Sequence, residues 1–154
     1  MKKPVQNSSN VVNRRAKFDY DLGDTLTVGI VLTGPEVRAV RDGRVQLKGA
    51  FVTLRNDELW LNNTSFSIKT NHPGEPGSHE VSSTPKKLLA KRREIKFLAD
   101  KKQAGLSIVP LKIIGNSRYI KLIISVGKGK KRYDKRQVIK SRDQERENAR
   151  EMKL

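Results

Sequence analysis

Three groups of residues in this chain have types and spacings that could do chemistry. His72 and His79 share a segment with Glu75 and Glu80, and imidazole plus carboxylate is a metal-donor set. Pro73, Gly74, Pro76 and Gly77 interrupt the same segment, so no helix fixes the donor spacing and a solvated loop is expected. Asp19, Asp21 and Asp24 surround Gly23 like a fragment of a calcium loop. The position that should supply the closing bidentate Glu is Ile30, so the ligand set is incomplete. The third group, NRRAKFDY at 13–20, interleaves cations with two aromatic rings. Cations neutralise phosphates and flat rings stack on unpaired bases, a combination suited to RNA. Core packing is the competing role for Phe18 and Tyr20. A second basic run, GKGKKRYDKR at 127–136, sets Tyr133 among cations with no apolar neighbours.

Other reactive constellations are absent from the sequence. There is no Cys, which excludes disulfides, thiolate zinc sites and thiol catalysis. Neither a GxxxxGK[ST] phosphate loop nor a GxSxG elbow occurs. No catalytic residue, metal site or cofactor is therefore expected. What the chain has in excess is positive charge: 33 Lys plus Arg against 16 Asp plus Glu, a net +17. Residues 1–17 carry five basic groups and no acid. The tail, 127–154, carries eleven basic groups against five acids, or +6. The body between them holds the remaining +6 over 109 residues. Such a field attracts phosphate backbones and speeds encounter with them. No apolar run approaches the roughly 20 residues of a membrane span, and the Lys-containing start lacks the apolar stretch of a secretory signal. The expectation is a soluble cytoplasmic protein, monomeric when free.

The elements that must position these groups follow from hydrophobic period and turn chemistry. Residues 1–12 are polar and expected to be disordered. The body is expected over 13–126. Residues 22–32 alternate as a strand, with Leu26, Val28, Ile30 and Leu32 on one face. Thr33-Gly34-Pro35 opens a short helix that Asp42-Gly43 ends, and Glu36 near its start suits the helix dipole. Residues 45–54 and 58–61 alternate around an Asn56-Asp57 turn, and Phe66 with Ile68 marks one more strand. Residues 70–83 read as a loop. Thr84-Pro85 is expected to open a long helix reaching to Gly105. Residues 106–114 and 118–126 form a hairpin through Gly115-Asn116-Ser117. The predicted fold is mainly β: a small antiparallel barrel of about six strands, closed to remove exposed edges, with two flanking helices. An open sheet backed by the 86–104 helix is the rival. The tail lacks apolar residues to pin it down, yet from Arg136 on helix formers dominate. Arg142, Arg146 and Arg150 would stack in one stripe. A conditional helix, ordered by an anionic surface, is expected there.

Several separated runs resemble the SsrA-binding protein (small protein B) family, the bacterial partners of transfer-messenger RNA in rescue of stalled ribosomes. They are NRRAKFDY at 13–20, GIVLTGPEVRAVRDGRVQLKGAFV at 29–52, KKLLAKRREI at 86–95, GLSIVPLKI at 105–113 and GKGKKRYDKRQVIKSRDQERENAR at 127–150. The resemblance implies an oligonucleotide-binding (OB) type barrel that holds the tRNA-like domain of transfer-messenger RNA. It also implies a tail that enters the vacant mRNA channel and becomes helical there. By position, Asn13, Arg14, Lys17, Tyr20, Glu36, Arg41, Lys91, Lys128, Lys130 and Lys131 would face the RNA. Tyr133, Asp134, Lys135 and Arg136 would reach the decoding centre. Lys140, Arg142, Arg146 and Arg150 would lie on the channel helix. The chain departs from the family pattern at Pro35, at Ala90, in the 70–83 loop and in its early end at Leu154.

The implied partners are transfer-messenger RNA and the ribosome, through its small-subunit RNA, with no membrane. A general structured-RNA-binding or ribosomal protein is the first alternative, and a metal-dependent nuclease using the clustered aspartates is the second.

Overall fold

The computed structural model describes residues 10–72 and 75–152. In chain order its elements are β1 (Asn10–Val12), α1 (Ala16–Asp19), β2 (Tyr20–Ile30), α2 (Gly34–Arg41), β3 (Val45–Gln46), β4 (Phe51–Arg55), β5 (Glu58–Asn62), β6 (Ser65–His72), β7 (Glu75–Ser82), β8 (Lys86–Leu89), α3 (Arg92–Gln103), β9 (Ser107–Ile114), β10 (Lys121–Gly129) and α4 (Arg132–Glu151). Six strands close a ring in the order β9-β10-β2-β8-β5-β4, and the β4–β9 pairing of Val52 with Ile108 completes it. Closure leaves no open edge within the ring. β1 adds to the outside of β9, and β3, β6 and β7 make a separate three-stranded sheet. Every pairing is antiparallel.

The alternation expected of a half-buried strand is what fills the barrel. Val28 and Ile30 of β2 point inward with Leu59 and Leu61 of β5, Leu88 of β8, Ile108 and Ile113 of β9, and Leu122 and Ile124 of β10. Asn56 and Asp57 both take positive φ in the β4–β5 turn, where their short polar side chains tolerate the left-handed region. α2 lays Ala39 and Val40 on this core, and α3 contributes Leu98.

Four expectations need correction. Residues 84–104 are not one helix: Lys86–Leu89 is a strand, and the helix begins only at Arg92. Lys and Leu are good helix formers, but these four residues fill the gap between β2 and β5. Leu88 pairs with Ile30 on one side and Leu59 on the other, so tertiary pairing overrides local propensity. The 70–83 loop is largely strand, because β6 and β7 form a hairpin. Its cross-strand bonds are polar, such as Thr70 Oγ1 to Ser78 Oγ at 2.8 Å, so it carries no hydrophobic period to read. Strand 45–54 is split into β3 and β4 around Gly49, whose φ is +75°. Finally, Asn10–Val12 pairs with β9 instead of belonging to a disordered leader. The disorder expected of residues 1–9 lies outside the described residues.

The tail leaves the barrel at a point where backbones crowd. A β-bulge in β10 between Ser125 and Gly127 shifts the register against β2, burying both Ser125 and Val126. A Cβ on Gly127 would sit 3.0 Å from the Asp21 carbonyl oxygen and 3.2 Å from Leu22 Cδ2. Only glycine allows β10 to run this close to β2 before the chain turns into α4.

Candidate nucleic-acid interface

The first two basic runs of the sequence meet at one end of the barrel. β2 starts where β10 ends, so Tyr20 stands opposite Gly129 and Asp21 opposite Lys128. α1 precedes Tyr20, and the loop into α4 follows Gly129. Asn13 fastens the α1 side. It is buried, its Nδ2 donates to the Pro110 carbonyl at 3.0 Å, and its backbone N–H donates to Leu111 at 2.8 Å. That anchoring leaves Arg14, Arg15 and Lys17 exposed on the outside of α1. The loop is tied to the same short helix. Lys130 N–H donates to the Asp19 carbonyl at 2.9 Å, and Lys130 Nζ to the Lys17 carbonyl at 3.1 Å.

Between α1, β4, β9 and this loop lies a cleft of about 610 Å³. Asn13, Arg15, Tyr20, Lys130 and Lys135 line it, all from the two basic runs, as do Phe51 and Lys102, which were not expected from the sequence. Four cations thus face one carboxylate, Asp19. Phe51 was missed although the signal existed: it alternates with buried Val52 on β4, so its ring must point outward, and it is 44% exposed. Lys102 was missed because a cationic helix face more often faces solvent.

α4 rests on α1 at its first turns and nowhere buries a residue. Lys135 Nζ lies 3.2 Å from Asp19 Oδ1 and 5.9 Å from the centre of the Phe18 ring, and the Arg142 guanidinium lies 6.0 Å from the same ring. Phe18 is therefore covered by cations instead of sitting in the core. Asp134 accepts from the Lys131 N–H at 3.1 Å, capping the helix. Tyr133 is 69% exposed and its hydroxyl accepts from Gln137 Nε2 at 3.0 Å. Arg136, Lys140, Arg142, Arg146 and Arg150 are exposed along the helix, the last three in the expected stripe.

Other expected residues are placed apart from the cleft. Lys128 and Lys131 flank it on the tail strand and loop, both exposed. Arg41 ends α2 and Lys91 precedes α3, both exposed. Glu36 does not face outward at all. It is buried, pairs with the equally buried Lys86, and accepts from the Thr33 N–H at 2.9 Å. Burial pushes its carboxyl pKa up, but the Lys86 ammonium and the Thr33 N–H outweigh that, so the net shift is downward. Its part is to hold α2 on β8, which positions the exposed residues of that helix.

The metal-donor types do not converge. Asp19 pairs with Lys135 and Asp24 with Lys101 at 3.8 Å, while His79 Nδ1 takes a hydrogen bond from Arg44. Among the described residues no three His, Asp or Glu side chains stand together in a way that would hold a metal ion.

Residues 10–154 match the model of the SmpB protein family. The chain is 42% identical over 144 residues to the SsrA-binding protein of Streptococcus pyogenes serotype M49 (strain NZ131), which covers 92% of this chain and 90% of that one. The SsrA-binding protein of Streptococcus pyogenes serotype M1 is similar to the same degree. A solved chain described under "tmRNA-SmpB: a journey to the center of the bacterial ribosome" is 33% identical and aligns with a TM-score of 0.62, covering 85% of this chain and 94% of that one.

Proposed function

The chain belongs to the SmpB protein family, and on that premise we propose that it binds transfer-messenger RNA and delivers it to stalled ribosomes in trans-translation. One observation carries the division of labour: a 20-residue basic helix with no buried residue leaves a packed barrel at the end where the two basic runs meet. The barrel end is the grip. Arg14, Lys17, Lys128, Lys130 and Lys131 meet phosphates of the tRNA-like domain, and Lys91 and Arg41 extend that contact. The tRNA-like fold is read by shape, backbone and 2′-hydroxyls, because a folded RNA helix hides its base edges. Tyr20, with Phe51 beside it in the cleft, offers a ring to an unpaired base. Asn13 and Glu36 act from within, orienting α1 and α2.

The helix is the probe. At 1.5 Å per residue, α4 spans about 30 Å, the scale of a channel rather than of a surface patch. It enters the vacant mRNA channel, with Tyr133, Asp134, Lys135 and Arg136 at the decoding centre. Lys140, Arg142, Arg146 and Arg150 lie along the channel's small-subunit RNA. The protein performs no bond chemistry of its own and needs no cofactor; it works where the ribosome works, in the cytoplasm. Among the described residues no helix is long and apolar enough to cross a membrane.

Titration at fixed salt against the tRNA-like domain and against an unrelated hairpin of equal length tests the specificity. Preference for the tRNA-like domain is expected. Equal affinity would favour a general RNA-binding role.

A further inference from the structure

The outer face of the three-stranded sheet carries a second group of cations. Val45 of β3 stands opposite Phe66 of β6, and the Ser67 N–H donates to the Arg44 carbonyl at 3.0 Å, so Arg44 continues the ladder one residue past β3. Phe66 is fully buried. Alternation therefore turns Lys69 and Arg44 to the opposite, outward face. Lys69 stands opposite His79, and the Arg44 guanidinium donates to His79 Nδ1 at 3.0 Å while also pairing with Asp42. These bonds hold the planar fork in place and use two of its five N–H donors. Arg38 of α2, with Gly34 and Pro35 from the same helix, closes the other side of a pocket of about 360 Å³.

The chemistry of this pocket is narrow. Arg38, Arg44 and Lys69 bring three positive charges, and Asp42 removes one, leaving +2. Among the described residues no carboxylate pairs with Arg38 or Lys69. The lining has no aromatic ring to take a base. Glu36, the acid at the start of α2, is turned inward to Lys86, so it does not neutralise the site. The pocket shares no residue with the cleft at the α1 end. Arg41 lies three residues beyond Arg38, hence on the same side of α2, so the charge runs on as a strip instead of ending in a closed hole. A strip of exposed cations with a forked guanidinium at one end fits a nucleic-acid backbone.

The geometry points to a second phosphate-binding site, formed by Arg38, Arg44 and Lys69, that takes a backbone phosphate of the bound transfer-messenger RNA. This rests on the RNA-binding function above. It gives the β6–β7 hairpin a part in the grip.

The test is a titration of the tRNA-like domain over a series of salt concentrations. It compares the wild type with R38A/K69A, with the charge-keeping R38K/K69R, and with K128A/K130A/K131A. R38A/K69A should bind roughly tenfold more weakly, with a log–log salt slope shallower by about one to two, while R38K/K69R keeps the slope. A wild-type slope in R38A/K69A overturns the site if K128A/K130A/K131A still flattens it. If neither variant changes the slope, the RNA-binding reading falls with it. Should R38A/K69A fail to fold, K69E, a single change on an exposed sheet face, must flatten the slope; an unchanged slope there overturns the site.

Discussion

Lys135 Nζ of α4 lies 3.2 Å from Asp19 Oδ1 of α1, so the tail helix is tied to the same four-residue helix that carries Lys17 and follows Arg14. A helix with no buried residue has little else to hold it in place. The pair is part-exposed and contributes about 0.5 kcal/mol. The cations over Phe18 add about 0.5–1 kcal/mol. Removing both, in D19A/F18A, should raise amide hydrogen exchange over 132–142 several-fold and leave the β9–β10 amides unchanged. Unaltered exchange in α4 would mean the helix does not depend on α1.

The buried Glu36–Lys86 pair makes a pH prediction. Glu36 has a folded pKa below its ordinary 4.5. In the window between the folded and unfolded values the unfolded chain binds more protons, so stability rises with pH there. The contribution is fully present above about 4.5 and is lost as pH falls through the folded value. The thermal midpoint should therefore drop on acidification below that point. Glu36→Ala should cost on the order of 3–5 kcal/mol at neutral pH, because it strands a buried ammonium, and should flatten the acid limb. An acid limb as steep as the wild type's would assign the effect to other carboxylates.

Gly127→Ala tests the crowded exit of β10. Its Cβ would meet the Asp21 carbonyl oxygen at 3.0 Å, a backbone atom that cannot swing aside. A loss of about 1–3 kcal/mol is expected from thermal or denaturant unfolding. Gly34→Ala, with nothing within 4 Å, is the matched control and should stay within about 0.5 kcal/mol. Equal stability of the two variants would show that β2 and β10 can part without cost.

Lys128, Lys130 and Lys131 are to be replaced together by Ala. RNA affinity should fall by one to two orders of magnitude, and the salt slope should lose about one unit for each phosphate contact removed. Lower affinity with an unchanged slope would mean that these lysines shape the loop and do not meet phosphate.

The barrel was legible because period-two alternation states which face is inside. Val28 and Ile30 fall where that alternation places them, and β9 pairs with β10 as expected, but β10 runs from Lys121 to Gly129 instead of over 118–126, so the first three residues assigned to the tail belong to the barrel. Residues 86–89 were not legible as a strand, since two lysines and two leucines suit a helix equally well and only the open slot between β2 and β5 decides. The same slot buries Lys86 against Glu36, fifty residues away in sequence, which no local pattern encodes. Of the cleft, Asn13, Tyr20, Lys130 and Lys135 carried a readable basic–aromatic signal. Arg15 belonged to the same run, whereas Phe51 and Lys102 became part of the cleft only through closure of the barrel.

On the proposed function, grip and probe are separate parts of one chain. A protein ending at Lys131 keeps β10 and the basic loop but lacks α4, and two quantities are to be measured on it: affinity for the tRNA-like domain, and tagging of nascent chains on stalled ribosomes. Near-wild-type affinity with tagging abolished is expected. Full tagging without α4 would contradict it.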